Sequence, residues 1–343
     1  MSAATASVAT LSIQREGRAA APWPSPPPER DAVRAPPDRP CITPAEPPST
    51  MLDRPLDVDD DDDPPEADGD DAAAATVWCR LVDPPIELRE ERARGCGGRA
   101  WHAGHVTNAH LLFCDAMLRG AAAPVWPRAD PRFAAQYPTA AHAAKHLAPA
   151  APLGLGRAPR AIIELGTGTG LCGLLAARLW PDAAVVLTDL PSLLPVAAAN
   201  VARHRQALDA WAAPAAAAAA PPATVAPRPA VRMAPVAVAP YDWTAPVLPA
   251  SVSGPFDLVI VSDGVYLEAL FTPLAQAIDA LPLTPDACVL LVSTKRRAAD
   301  RHFAKAMSKA FVLRRVVFDP ACWQAADQAT TVFYAHRKPA ASA

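Results

Sequence analysis

Glu164-Leu165-Gly166-Thr167-Gly168-Thr169-Gly170 follows one apolar run and precedes a stretch with helical apolar spacing. Glycines at such a junction let the chain turn sharply and bring its backbone close to a ligand at the carboxyl edge of a sheet. Asp189 follows the next apolar run, where a carboxylate can accept both hydroxyls of a ribose. Gly168, Gly170 and Gly173 also satisfy the G-x-G-x-x-G spacing of dinucleotide sites, so the glycines leave two nucleoside cofactors open. The plainer role for Asp189 is an N-cap for a helix beginning near Ser192. Further on, Ser262-Asp263-Gly264-Val265-Tyr266 ends another apolar run and offers a carboxylate and a phenol, groups that orient a substrate and move protons. Tyr241-Asp242-Trp243 adds an indole able to stack on a base or to fill a core.

These residues need a scaffold, and the apolar runs supply one. Seven short runs qualify as strands: Arg160 to Leu165, Ala184 to Thr188, Val231 to Val238, Phe256 to Val261, Ala287 to Ser293, Phe311 to Phe318 and Thr330 to His336. Helical patterns separate most of them, at Leu171 to Trp180, Ser192 to Ala207, Phe271 to Leu281 and Arg301 to Ala310. This alternation predicts an α/β fold: a doubly wound, mostly parallel seven-strand sheet with helices on both faces. No crossover helix separates the last two strands, so they should form an antiparallel hairpin at one side, leaving the last strand antiparallel. The candidate site residues then fall at the carboxyl ends of successive strands.

Composition bounds the rest. With 343 residues and 51% hydrophobic content the chain can bury a sizeable core. The expected divisions are a disordered Pro, Ala and Asp-rich tail at 1–76, a lead-in at 77–120, a connecting insertion at 121–159, and a core at 160–338 carrying a low-complexity loop at 212–229. A formal charge of −3 gives no field to hold nucleic acid unaided. Seven scattered cysteines without a C-x-x-C pair argue against a disulfide framework and against a metal site, and fit a reducing compartment. No stretch reads as a membrane span or a signal peptide. The Ala, Ser and Thr run to Ile13, with Arg15 and Arg18 after it, is read as disorder rather than as a transit peptide. The expectation is a cytoplasmic monomer with access to the nucleus.

Taken together in order and spacing, Glu164 to Gly170 with Leu171 and Gly173, then Thr188-Asp189, Asp242-Trp243, Phe256 to Ile260, and Ser262-Asp263 with Tyr266 resemble the seven-strand methyltransferases of family 16, the protein-lysine type. The resemblance covers about Gly98 to Lys338. It implies a Rossmann-like methyltransferase that uses S-adenosylmethionine and acts on a lysine of a protein substrate. It implies a cofactor site of Glu164, Gly166, Thr167, Gly168, Gly170, Asp189, Trp243 and Ser262, with Asp189 on the ribose, Trp243 against the adenine and Ser262 contributing its backbone. It also points to Asp263 and Tyr266 as the acceptor-side pair. The family usually places a tryptophan where this chain has Asn108. Either Trp101 substitutes from a shifted position or the pocket is more open here.

Methyl transfer from a sulfonium is an in-line displacement, so the enzyme's main work is alignment in a dry site. A lysine nucleophile must be neutral, and its deprotonation at pH 7 costs about 4.6 kcal/mol. Asp263 is therefore expected to dock and orient the amine, with the proton leaving to water or to Tyr266. An Asp N-cap and an aromatic lid are the plainer roles for that pair. Lys295, Arg296 and Arg297 read as a solvated run, with steering of an acidic substrate region as the sharper alternative. Three other readings compete: an NAD(P)-dependent oxidoreductase, a non-catalytic protein that keeps the methyltransferase fold, and a methyltransferase whose acceptor is a small molecule or a histidine.

Overall fold

The computed structural model describes residues 75–120, 152–212, 231–296, 300–316 and 330–339. The expected tail up to residue 74, the insertion from 121 to 151 and the low-complexity loop from 213 to 230 lie outside them.

The lead-in opens with a hairpin of two short strands, β1 (Thr76–Cys79) and β2 (Ile86–Arg89). Each alternates in burial, so Val77, Cys79, Ile86 and Leu88 face the core. A 3-10 stretch, Arg92–Gly98, leads to helix α1 (His102–Leu118), whose Val106, Leu111 and Cys114 are buried.

The alternating unit follows as β3 (Ala161–Leu165), α2 (Leu171–Leu179), β4 (Ala184–Asp189), α3 (Leu194–Ala212), β5 (Val236–Pro240), β6 (Phe256–Ser262), α4 (Phe271–Ala280), β7 (Leu283–Thr294), α5 (Asp300–Met307), β8 (Phe311–Arg315) and β9 (Thr330–Arg337). The strands form one sheet in the order β5-β4-β3-β6-β7-β9-β8. Neighbours from β5 to β7 pair in parallel, while β9 runs antiparallel to both β7 and β8. The mostly parallel seven-strand sheet with an antiparallel last strand is therefore present.

Alternate side chains divide the core into two layers. Ile162, Leu187, Leu258, Ile260 and Leu290 pack with buried residues of α1, α2, α3 and the hairpin. Ile163, Leu165, Val259, Val261 and Leu291 pack with Phe271, Leu274 and Ile278 of α4 and Phe303 and Met307 of α5. Both faces are covered, which is why the central strands read as continuous apolar runs.

Several boundaries differ from the sequence reading. β5 begins at Val236 rather than Val231: the Ala234 amide bonds the Ala177 carbonyl of α2 instead of a strand, and only from the Pro235 carbonyl, which accepts the Val185 amide, does the chain join β4. β7 starts four residues early, at Leu283, where Thr284, Pro285 and Asp286 hide the apolar signal. Helix α3 starts at Leu194, beyond the expected Ser192, and runs on to Ala212.

Candidate active site

The turn after β3 is built on backbone that side chains resist. Gly166, Gly168 and Gly170 have φ of 68°, 51° and 85°, the left-handed region in which glycine carries no penalty. Below the turn, buried Glu164 accepts the Thr167 hydroxyl at 2.6 Å and the Gly173 amide at 2.9 Å through one carboxylate oxygen. Burial pushes its carboxyl up to about 7 against those two bonds. Glu164 thus braces the turn from the core side. Gly170 packs among Leu187, Leu174 and Ala197 and backs the turn from the same side.

Asp189 stands at the end of β4, beside the turn. One oxygen accepts the Gly168 amide and the other the Leu190 amide, both at 2.8 Å. Burial raises its pKa. It does not cap a helix, since α3 starts five residues on. Each oxygen retains acceptor capacity for a hydroxyl. The Trp243 ring lies 3.0 Å from where a side chain on Gly166 would begin and 3.5 Å from the same point on Gly264. It thereby joins the loops after β3, β5 and β6, while half-buried against the core. Backbone in a tight glycine turn, a carboxylate with free lone pairs and an adjacent indole fit a nucleoside cofactor.

The lead-in covers this corner. The Glu91 amide bonds the Gly98 carbonyl, closing a loop, and the Gly97 carbonyl rests against Gly168. The Trp101 indole donates to the Cys96 carbonyl at 2.8 Å, which fixes the loop to the start of α1. Asn200 of α3 binds both backbone groups of Arg89 and the Thr169 carbonyl, tying the hairpin to the glycine turn. Asn108, at the family's tryptophan position, is buried with its amide 3.6 Å from the Cys79 sulfur and faces the hairpin. Its neighbour Thr107 reaches the sheet instead, pairing its hydroxyl with that of Ser262 at 2.9 Å. The Ser262 side chain is therefore engaged with α1.

On the acceptor side, Asp263 adopts φ of 58°, a conformation aspartate tolerates better than most residues, and its amide bonds the Val292 carbonyl at 2.7 Å. Its carboxylate is gripped by both terminal nitrogens of Arg296, at 2.9 and 2.8 Å. Arg296 thus departs from the solvated run expected of it. Burial pushes the Tyr266 phenol up to about 12, aided by the charges of Cys96, Asp189 and Asp263 and opposed by that of Arg296. The residues expected in the site accordingly gather at one edge of the sheet, at the carboxyl ends of β3, β4, β5 and β6, with Glu164 and Gly170 behind the turn. The sequence reading gave no site role to Gly97, Thr107 or Asn200, and took Arg296 only as part of a basic run, solvated or steering a substrate, not as the partner of Asp263. A weak signal existed for the first, in the glycine-rich Arg94-Gly95-Cys96-Gly97-Gly98 run.

The dinucleotide alternative predicts strands that continue in parallel to the sheet edge, in the order 3-2-1-4-5-6. The antiparallel β9 between β7 and β8 departs from that arrangement. A family profile described as lysine methyltransferase matches residues 81–215 and 227–310, more than half of the chain. The chain is 30% identical over 158 residues to protein N-lysine methyltransferase METTL21A of Mus musculus, a match that covers 46% of this chain and 60% of that protein. It is 31% identical over 158 residues to the METTL21A of Danio rerio, with the same coverage. The matched region thus spans about three fifths of the length of these relatives. Among solved structures, a TehB-like methyltransferase from Corynebacterium glutamicum superposes with a TM-score of 0.34 at 16% identity, covering 53% of this chain and 83% of the other.

Proposed function

The chain belongs to the lysine methyltransferase family, and on that premise we propose that it transfers a methyl group from S-adenosylmethionine to a lysine side chain of a protein. The observation that carries the reading is the convergence, at one sheet edge, of the Gly166 to Gly168 turn, the Asp189 carboxylate and the Asp263 and Tyr266 pair. When bound, S-adenosylmethionine supplies an electrophilic methyl group on sulfur. Gly166, Thr167 and Gly168 would line its methionine and ribose portions, Asp189 would accept the ribose hydroxyls, Trp243 would lie against the adenine, and Ser262 would approach through its backbone.

Asp263 then orients the acceptor nitrogen, and the closed corner excludes water and shortens the approach. Tyr266 holds its own proton at physiological pH, since its phenol sits at about 12, above the ordinary lysine value of roughly 10.4. Its role is therefore to donate a hydrogen bond and wall the channel, and the lysine proton leaves to water. The same reading includes a monomer acting in the cytoplasm on a protein rather than on nucleic acid, the last part supported by the near-neutral charge. Among the described residues no helix is long and apolar enough to cross a membrane.

The test is incubation of purified protein with tritiated-methyl S-adenosylmethionine and a heat-treated cell lysate. Label in a protein band, mapped to lysine by mass spectrometry, is the expected result. Label in small molecules only would sink the protein-acceptor reading.

A further inference from the structure

Asp263 carries a side chain only 7% exposed at the point where the acceptor must arrive, and a buried carboxylate requires a partner. Its partner comes from a different strand end. Arg296 lies two residues beyond β7, is 30% exposed, and closes a two-pronged ion pair on both Asp263 oxygens, while the Thr294 amide approaches one of them at 3.4 Å. Such forked pairing fixes a carboxylate in orientation as well as charge, which a lysine at the same place would not do. Among the described residues, the charged or titratable groups that act on one another at this corner include Tyr266 after β6, Asp189 at the end of β4 and Cys96 in the covering loop, and Lys295 precedes Arg296 in the chain.

An unpaired carboxylate here would work against the chemistry. An anion within about 4–6 Å of an amine favours its protonated form, and an ammonium has no lone pair to attack with. Arg296 removes that obstacle while leaving each Asp263 oxygen a second lone pair to accept an N–H. Resting on the methyltransferase reading above, we propose that Arg296 is a positioning residue for the transfer: it holds the Asp263 carboxylate in place and cancels its charge, so that the acceptor nitrogen meets the methyl group as a free amine. The proton lost by the ammonium passes to water before attack. The nitrogen lone pair then forms the C–N bond as the C–S bond breaks, and that electron pair stays on sulfur.

The test follows the pH dependence of methyl transfer from tritiated S-adenosylmethionine to the band labelled by the wild-type protein in heat-treated lysate, between pH 6 and 10. Arg296→Gln should move the rising limb upward by about one pH unit, the lower end of the shift expected from a nearby opposite charge. Near pH 7.5 the rate should drop roughly tenfold, since one unit is a factor of ten. Affinity for S-adenosylhomocysteine, measured by calorimetry, should stay within about twofold. The double variant R296Q/D263N should return the limb to its wild-type position whatever its absolute rate, and Arg296→Lys should keep the limb in place at a reduced rate. Should Arg296→Gln not fold, Asp263→Asn probes the same balance from the other side and should move the limb to lower pH. A limb that stays fixed in Arg296→Gln or in Asp263→Asn overturns the proposal. Wild-type protein that binds the cofactor product but labels no protein overturns the methyltransferase reading itself, and the role of Arg296 with it.

Discussion

The carbonyl oxygen of Gly97 lies 2.9 Å from the point at which a β-carbon on Gly168 would stand, so the covering loop and the glycine turn meet with no room for a side chain between them. Two requirements coincide at Gly168, since its φ of 51° also disfavours any residue with a β-carbon. Gly168→Val should weaken S-adenosylhomocysteine binding at least about 100-fold, close to 2.7 kcal/mol. The backbone strain should cost a further 1–3 kcal/mol of stability, roughly. Calorimetry and thermal unfolding read the two separately. Wild-type affinity in a folded variant would move the cofactor away from this turn.

Asp189 and Asp263 should fail in opposite ways. Asp189→Ala is expected to weaken the cofactor while leaving turnover at saturating cofactor near wild type. Asp263→Ala should lower turnover by about 10² to 10⁴ and change cofactor affinity by less than about tenfold. Single-turnover assays with titrated cofactor measure both quantities. Equal damage to both quantities in both variants would mean misfolding rather than division of labour.

Glu164 makes stability depend on pH in a direction opposite to a salt-bridged acid. Its folded value of about 7 lies above the ordinary 4.5, so the folded state holds the proton more tightly than the unfolded one. The stability associated with that proton is fully present below about pH 4.5 and is lost as pH rises toward 7. Glu164→Gln keeps an acceptor for Thr167 and Gly173 and removes the titration. Relative to wild type, the variant should gain up to about 3 kcal/mol between pH 4.5 and pH 8, an order-of-magnitude figure from 1.36 kcal/mol per unit. Parallel stability curves for the two proteins in urea would refute this.

Asp257 works at the far edge of the sheet. It is 2% exposed, accepts the Arg160 and Ala161 amides at the start of β3, and pairs with Arg157 at 2.7 Å. Asp257→Ala strips two amides and a guanidinium of their partner and should cost about 2–4 kcal/mol. Cofactor affinity should hold, because the carboxyl edge is untouched. A variant as stable as wild type in urea would show that these bonds contribute little.

Much of this was readable beforehand, and the exceptions have physical causes. β3, β4 and β6 announce themselves because parallel strands buried on both faces must be apolar throughout, with Gly166, Asp189 and Asp263 marking where they stop. The β1–β2 hairpin escaped notice because four residues of alternation around Asp83-Pro84-Pro85 are too few to establish a period of two. Arg296 escaped for a different reason. A three-residue basic run looks like solvated surface, and its partner Asp263 lies 33 residues earlier, a distance that only the pairing of β6 with β7 brings to contact. Asn108 illustrates the reverse. Its place in the motif suggested the cofactor pocket, but the helix turns it toward Cys79 and offers Thr107 to the sheet.

The placement of β9 has a consequence for how the chain comes to exist at all. During synthesis β7 emerges long before its neighbour, since Leu290 must wait for Tyr334 and Leu291 for Phe333. β8 emerges between them with no strand yet to pair with, because its partner in the sheet is β9. Until residues 330–337 clear the ribosome, the nascent sheet presents the unpaired edge of an apolar strand, a template for joining other chains. Truncation upstream of Thr330 would make that interval permanent, so β9 serves its own polypeptide as the cover for the apolar β7 edge and leaves the shorter β8 as the outer strand on that side.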